Sequence, residues 1–173
     1  MRITPLILTL LLAATPAFAG LSGPDLRTAP RADVEAALPD AHPSAYFHYA
    51  ERLYAEDDRE EAITWMYVGR IRYLLHLHSN PVGADEDTEE FRKLTAAVMY
   101  PAMEWASDDI DMLIGRLDAA LAWDAEHPNG FTPRDSFKAQ WEHARADVQR
   151  LRDELHARRD DIRAAQEAER DGG

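Results

Sequence analysis

The sequence contains no cysteine. That absence excludes a disulfide-stapled small domain, thiolate metal or nucleophile chemistry, and a lipid attached at a cysteine after processing, so stability must come from an ordinary core. Glycine is scarce too, eight residues scattered over 173, and no glycine-rich phosphate loop, GxSxG or HExxH pattern occurs. Beyond the first twenty residues no apolar run approaches the roughly twenty residues of a spanning helix. Positive charge is also short, with 19 Lys and Arg against 32 Asp and Glu and a formal charge of −13. A chain this acidic repels nucleic-acid phosphates and anionic lipid surfaces, so nucleic-acid binding is disfavoured and a basic partner surface is favoured.

What is present begins with an export signal. Arg2 makes a basic start, Leu6 to Ala14 an apolar run, and Ala17-Phe18-Ala19 a small-residue end. This is the grammar of a secretory signal peptide over residues 1–19, cleaved before Gly20. Its apolar stretch is about half of what a spanning helix needs. The expectation is therefore an exported protein, periplasmic in a Gram-negative host or secreted, soluble and without a membrane span once processed. About 150 residues then remain, enough for one domain with a single core.

Periodicity predicts an all-α bundle of five or six helices. Leu21 to Pro30, with Gly23, Pro24 and Pro30, reads as an extended lead-in, followed by a short helix from Arg31 to Leu38 that Pro39 stops. A helix over 44–55 puts Tyr46, Tyr49, Ala50 and Leu53 on one face. After Glu56-Asp57-Asp58 a second helix, 59–78, is apolar around most of its circumference and should be central. Thr88 is a cap for a helix beginning Glu89-Glu90, which Pro101 should kink or end near Met99. Ser107 caps the next, starting Asp108-Asp109 and ending at His127-Pro128-Asn129-Gly130. Thr132-Pro133 opens a last helix of about 35 residues, in which Phe137, Trp141, Ala144, Val148, Leu151, Leu155 and Ile162 form a heptad seam that Arg158 interrupts. Beyond Leu155 it thins to charged residues and should project as a solvated end. The organisation expected is a lead-in over 20–43, a bundle over 44–130 and the long helix over 131–173 on the same domain.

On Tyr46, Tyr49, Ala50 and Leu53, then Glu60-Glu61-Ala62, Met66 and Gly69, residues 46–69 resemble a tetratricopeptide or Sel1-type helical hairpin. Ala50 stands where that repeat usually has glycine, and its closing proline is delayed to Pro81. Leu117 to Asn129, with Ala120, Leu121 and His127-Pro128-Asn129, resembles the end of a second, degenerate unit. About three units are needed for a solenoid, so the resemblance implies a helical hairpin only. By association with such hairpins it implies protein or peptide binding.

Reactive groups do not assemble along the chain. Of the seven histidines, His76 and His78 point to nearly opposite helix faces, and a metal site would need His48 or a carboxylate from another helix. Asp85-Glu86-Asp87 and Asp108-Asp109-Asp111 lack the glycine and closing glutamate of a calcium loop and suit helix first turns. Glu104 with Asp108 beside Trp105 is a carboxylate pair of the kind that cleaves glycosides. Trp65, Trp105, Trp123 and Trp141 read as packing anchors.

The leading expectation is an exported, non-enzymatic protein-interaction module with no cofactor, no metal site and no catalytic residue, its oligomeric state left open. Tyr46, Tyr54, Trp65, Tyr67 and Tyr73 would line the binding groove beside the hairpin, and Asp57 and Asp58 would steer a basic protein or peptide partner. One alternative is an immunity or inhibitor protein against a secreted toxin or hydrolase. Another is an envelope hydrolase or metal-binding protein using carboxylates and histidines.

Overall fold

The computed structural model describes residues 23–82 and 84–172, and the export signal expected over residues 1–19 lies outside them. Helices α1 (Gly23–Thr28), α2 (Arg31–Ala37), α3 (Ser44–Ala55), α4 (Arg59–Ser79), α5 (Asp85–Leu94), α6 (Tyr100–Ala106), α7 (Ile110–Glu126), α8 (Lys138–Ala157) and α9 (Arg159–Gly172) follow in order. A 3₁₀ turn, Leu38–Asp40, leads out of α2, and a π-helical turn, Thr95–Met99, joins α5 to α6. Among the described residues there is no strand, and the fold is all-α. No described helix is long and apolar enough to cross a membrane.

The organising element is α4. It packs most extensively on α3, and also on α7 and α8. Being covered on several sides, it buries Ile63, Trp65, Met66, Tyr67, Val68, Ile71, Tyr73 and Leu75 almost completely, as its near-continuous apolar circumference requires. Closest approach to α3 is at Gly69, where a Cβ would come within 2.7 Å of Tyr46 Cβ and 3.2 Å of the Phe47 ring. Only glycine fits there without displacing α3.

Several expectations need correction. The lead-in is not extended throughout, since α1 forms and buries Leu26, while Arg52 Nη1 donates to the carbonyls of Leu26 and Ala29 at 3.1 and 2.7 Å. Helix α5 starts at Asp85 and not beyond Thr88, because Asp85, Glu86 and Asp87 occupy its first turn, where the dipole favours carboxylates. Where Pro101 was expected to kink or end the helix near Met99, α5 gives way to a π turn over Thr95–Met99. The wider π turn, with Tyr100 N–H donating to Thr95 C=O, carries the ladder to the point where Pro101 can sit near the start of α6. Asp109, not Ser107, caps α7, its carboxylate accepting from Met112 N–H at 2.9 Å.

The C-terminal helix is two helices. Residues 131–137 are turns, so α8 begins at Lys138, and Arg158 breaks the chain between α8 and α9. Nor does the tail project freely. Asp111 of α7 holds both Arg159 and Arg163, and Gln166 Nε2 donates to Ser107 C=O at 2.7 Å. The charged composition that reads as a solvated end supplies the groups that dock it.

Candidate functional site

The aromatic groove expected beside the hairpin is the core itself. Tyr46, Trp65, Tyr67 and Tyr73 are each at most 4% exposed. Trp65 packs against Trp123 at 4.9 Å between ring centres, and Tyr46 OH donates to Leu38 C=O at 2.8 Å. The reason is topological, since Trp65 meets Trp123 of α7, Tyr67 OH meets Met103 of α6 and Tyr73 packs on Phe91 of α5, so later helices cover what a two-helix unit alone would leave open. Tyr54 is half-buried and stacks under the Arg59 guanidinium, 5.2 Å from its ring centre.

The acidic turn is where an accessible concave surface lies. Asp57, Asp58, Arg59, Glu60, Glu61, Trp105 and Arg116 line an open cleft of about 610 Å³. Glu56 is the C-cap of α3, and Asp57 then takes φ of 64°. Asp58 N–H donates to Leu53 C=O at 2.9 Å and Asp57 N–H to Tyr54 C=O at 3.2 Å. These two bonds make a Schellman ending, whose left-handed position usually holds glycine. The Asp57 side chain is 82% exposed. Asp58 is held by Arg31, whose guanidinium also takes Glu56 at 2.6 Å, while Arg116 reaches Glu60 and Glu61 at 3.2 and 3.3 Å. The Nε atoms of Arg59 and Arg116 are buried without a hydrogen-bond acceptor; Asp57 Oδ1 is 3.0 Å from the former but out of line. Four carboxylates against two guanidiniums leave the lining net negative.

Glu104 and Asp108 are both exposed, and neither lines the cleft at Trp105. A second polar constellation joins three parts of the chain. His42 precedes α3, His76 is in the last turn of α4, and Asp87 is in the first turn of α5. One ligand atom from each lies within 4.8 Å of the others. His76 Nε2 is 3.0 Å from Asp87 Oδ2, and His42 Nε2 is 3.7 Å from Asp87 Oδ1. The residue brought to His76 is therefore His42 and not His48, which faces Glu51 at 3.7 Å. Burial, aided by His76, pushes the His42 imidazole below its ordinary value against the opposing pull of Glu90 and Asp87.

Phe131 covers this cluster, its ring centre 5.0 Å from that of His42 and 5.2 Å from that of His76. Its loop is tied down at Gly130, whose N–H donates to Pro39 C=O at 2.9 Å. Sequence spacing cannot show this cluster, because none of its members shares an element with another.

No protein-family model matches the chain, and comparison with curated proteins and with solved structures finds no match either.

Proposed function

We propose that the protein is an exported, non-enzymatic interaction module that docks a basic protein or peptide segment at the turn between α3 and α4. The observation that carries this reading is Asp57, a non-glycine residue held at φ of 64° with its carboxylate almost wholly in solvent. Left-handed backbone disfavours most side chains, Asp and Asn less than the rest, and glycine is the usual residue at this place in a helix ending. The surrounding cleft is open and charged, whereas small-molecule sites are mostly apolar and enclose most of their ligand. Its net negative lining suits Lys or Arg of a partner.

Affinity capture from envelope extracts, at low and high salt, tests the proposal with wild type and with Asp57→Lys. The expected result is a captured protein that elutes as salt rises and is lost with the charge reversal. Identical capture by both forms at both salt concentrations would overturn the reading.

A further inference from the structure

We infer that His42, His76 and Asp87 form a binding site for one divalent transition-metal ion of the zinc class, remote from the α3–α4 turn and independent of the reading given for it. Two imidazoles and a carboxylate are the donors that borderline divalent ions select. A tetrahedral ion about 2.0–2.1 Å from each donor sets those donors about 3.3 Å apart. The separations of 3.0 Å from Asp87 Oδ2 to His76 Nε2 and 3.7 Å from Asp87 Oδ1 to His42 Nε2 straddle that value, and one donor atom of each residue lies within 4.8 Å of the others, so the two rings and the carboxylate need only close on the ion.

Behind the ligands, a hydroxyl oxygen stands beside each Nδ1 atom. A ligating imidazole characteristically donates its other ring N–H to an oxygen, which fixes the tautomer and ring orientation. His42 Nδ1 lies 2.8 Å from Ser44 Oγ but also accepts from Ser44 N–H at 3.3 Å, so an ion at Nε2 requires the proton to move to Nδ1 and that backbone bond to give way; His76 Nδ1 lies 3.4 Å from Thr132 Oγ1. Asn80 Nδ2, 3.1 Å from His76 Nδ1 and donating to the His76 carbonyl at 3.0 Å, is a donor and must turn away from the ring when Nδ1 carries the proton. The site is neither deep nor fully open, with the His76 side chain 12% exposed and Phe131 shielding both rings. Three protein donors leave a fourth position for water or an incoming group. Because the donors come from the turn before α3, the end of α4 and the start of α5, the ion would tie these segments together. Its binding energy would then add to the stability of the folded chain.

The test is calorimetric titration of chelator-treated, desalted protein with zinc chloride, alongside cobalt(II) spectra of the same protein. The expected outcome is one equivalent bound per chain, a raised thermal midpoint, and the intense visible bands of four-coordinate cobalt. His76→Ala and Asp87→Asn should each weaken zinc by about 100-fold or more, the upper end of the loss that an outer partner alone causes. Ser44→Ala should weaken it by about 10-fold. The control is His78→Ala, because His78 and His143 make a second, exposed imidazole pair with ring centres 5.1 Å apart, and this change should leave binding intact. Circular dichroism of each variant establishes that it is folded, and the wild-type stoichiometry and cobalt spectrum stand even where a variant is not. No binding by wild type, six-coordinate cobalt spectra only, or zinc binding lost with His78→Ala but kept with His76→Ala would each overturn the inference.

Discussion

Arg72 and Asp124 meet in the core as an ion pair, each side chain only 2% exposed, with Arg72 Nε 3.4 Å from Asp124 Oδ1. The carboxylate also accepts from Trp141 Nε1 at 2.9 Å and from Arg145 Nη1 at 2.8 Å. Arg72 in turn donates to Tyr46 OH at 2.7 Å and to His127 C=O at 3.2 Å, with its guanidinium 4.7 Å from the centre of the Trp123 ring. One carboxylate thus joins α4, α7 and α8. Asp124→Ala would leave two guanidiniums without their anion, and removing one partner of a buried pair costs about 3–5 kcal/mol. Arg72→Met leaves Asp124 still bonded to Trp141 and Arg145, so its cost should be smaller, about 1–3 kcal/mol. Urea unfolding checks the order; equal losses would mean that the pair does not act through Asp124.

Two glycines should respond to alanine in opposite directions. At Gly69 the added methyl meets the Tyr46 Cβ at 2.7 Å, and that atom lies at the root of its side chain, so α3 must shift. Overpacking of this kind costs about 1–3 kcal/mol. Gly115 lies within α7 with nothing inside 4 Å of its built Cβ. There the helix propensity of alanine should add about 1 kcal/mol. Thermal unfolding of the two variants should place their midpoints on either side of wild type.

This contrast separates what was legible in the sequence from what was not. The bounds of α3 and α4 are legible because Pro43 and Glu56-Asp57-Asp58 punctuate them, and the central place of α4 follows from its apolar circumference. Ala144 and Val148, at the middle of the heptad seam, are buried. Trp65 was legible as a packing anchor, but Tyr67 and Tyr73 were legible only as an apolar face, because what covers them, Met103 of α6 and Phe91 of α5, comes later in the chain. Arg72 and Asp124, 52 residues apart, each look like surface charges until they are paired. His42 was invisible as a neighbour of His76 for a similar reason. It stands in a turn, where no helical spacing relates it to anything.

Asp57 makes a prediction about stability set against binding. Glycine in its place would relieve left-handed strain of about 1–2 kcal/mol. It would also add unfolded-state freedom that costs about 0.4–1 kcal/mol. The net expectation for Asp57→Gly is a gain of about 0.5 kcal/mol, read by chemical denaturation, accompanied by weaker capture of the partner. A variant that is less stable than wild type would show that the carboxylate serves the fold, through Arg59, and would remove the main support for a binding role at the turn.

The docking of α9 should respond to acid and to salt through one residue. Hydrogen bonds from Arg163 first, and then from Arg159, outweigh partial desolvation and hold the Asp111 carboxyl below its ordinary value of 3.8. A depressed carboxylate contributes its stabilisation above the unfolded value and loses it as the pH falls through the lower, folded value. The contact should therefore be intact from neutral pH down to about pH 4 and weaken below it. All three side chains are well exposed, so rising salt should loosen α9 even at neutral pH. Hydrogen exchange followed by mass spectrometry should show faster exchange in residues 159–172 for Asp111→Asn, at high salt, or below pH 4 after correction for the intrinsic rate. Protection in α3 and α4 should stay unchanged, because neither helix shares a partner with Asp111. Uniform loss across all helices would mean that α9 is part of the cooperative core and not a separately docked element.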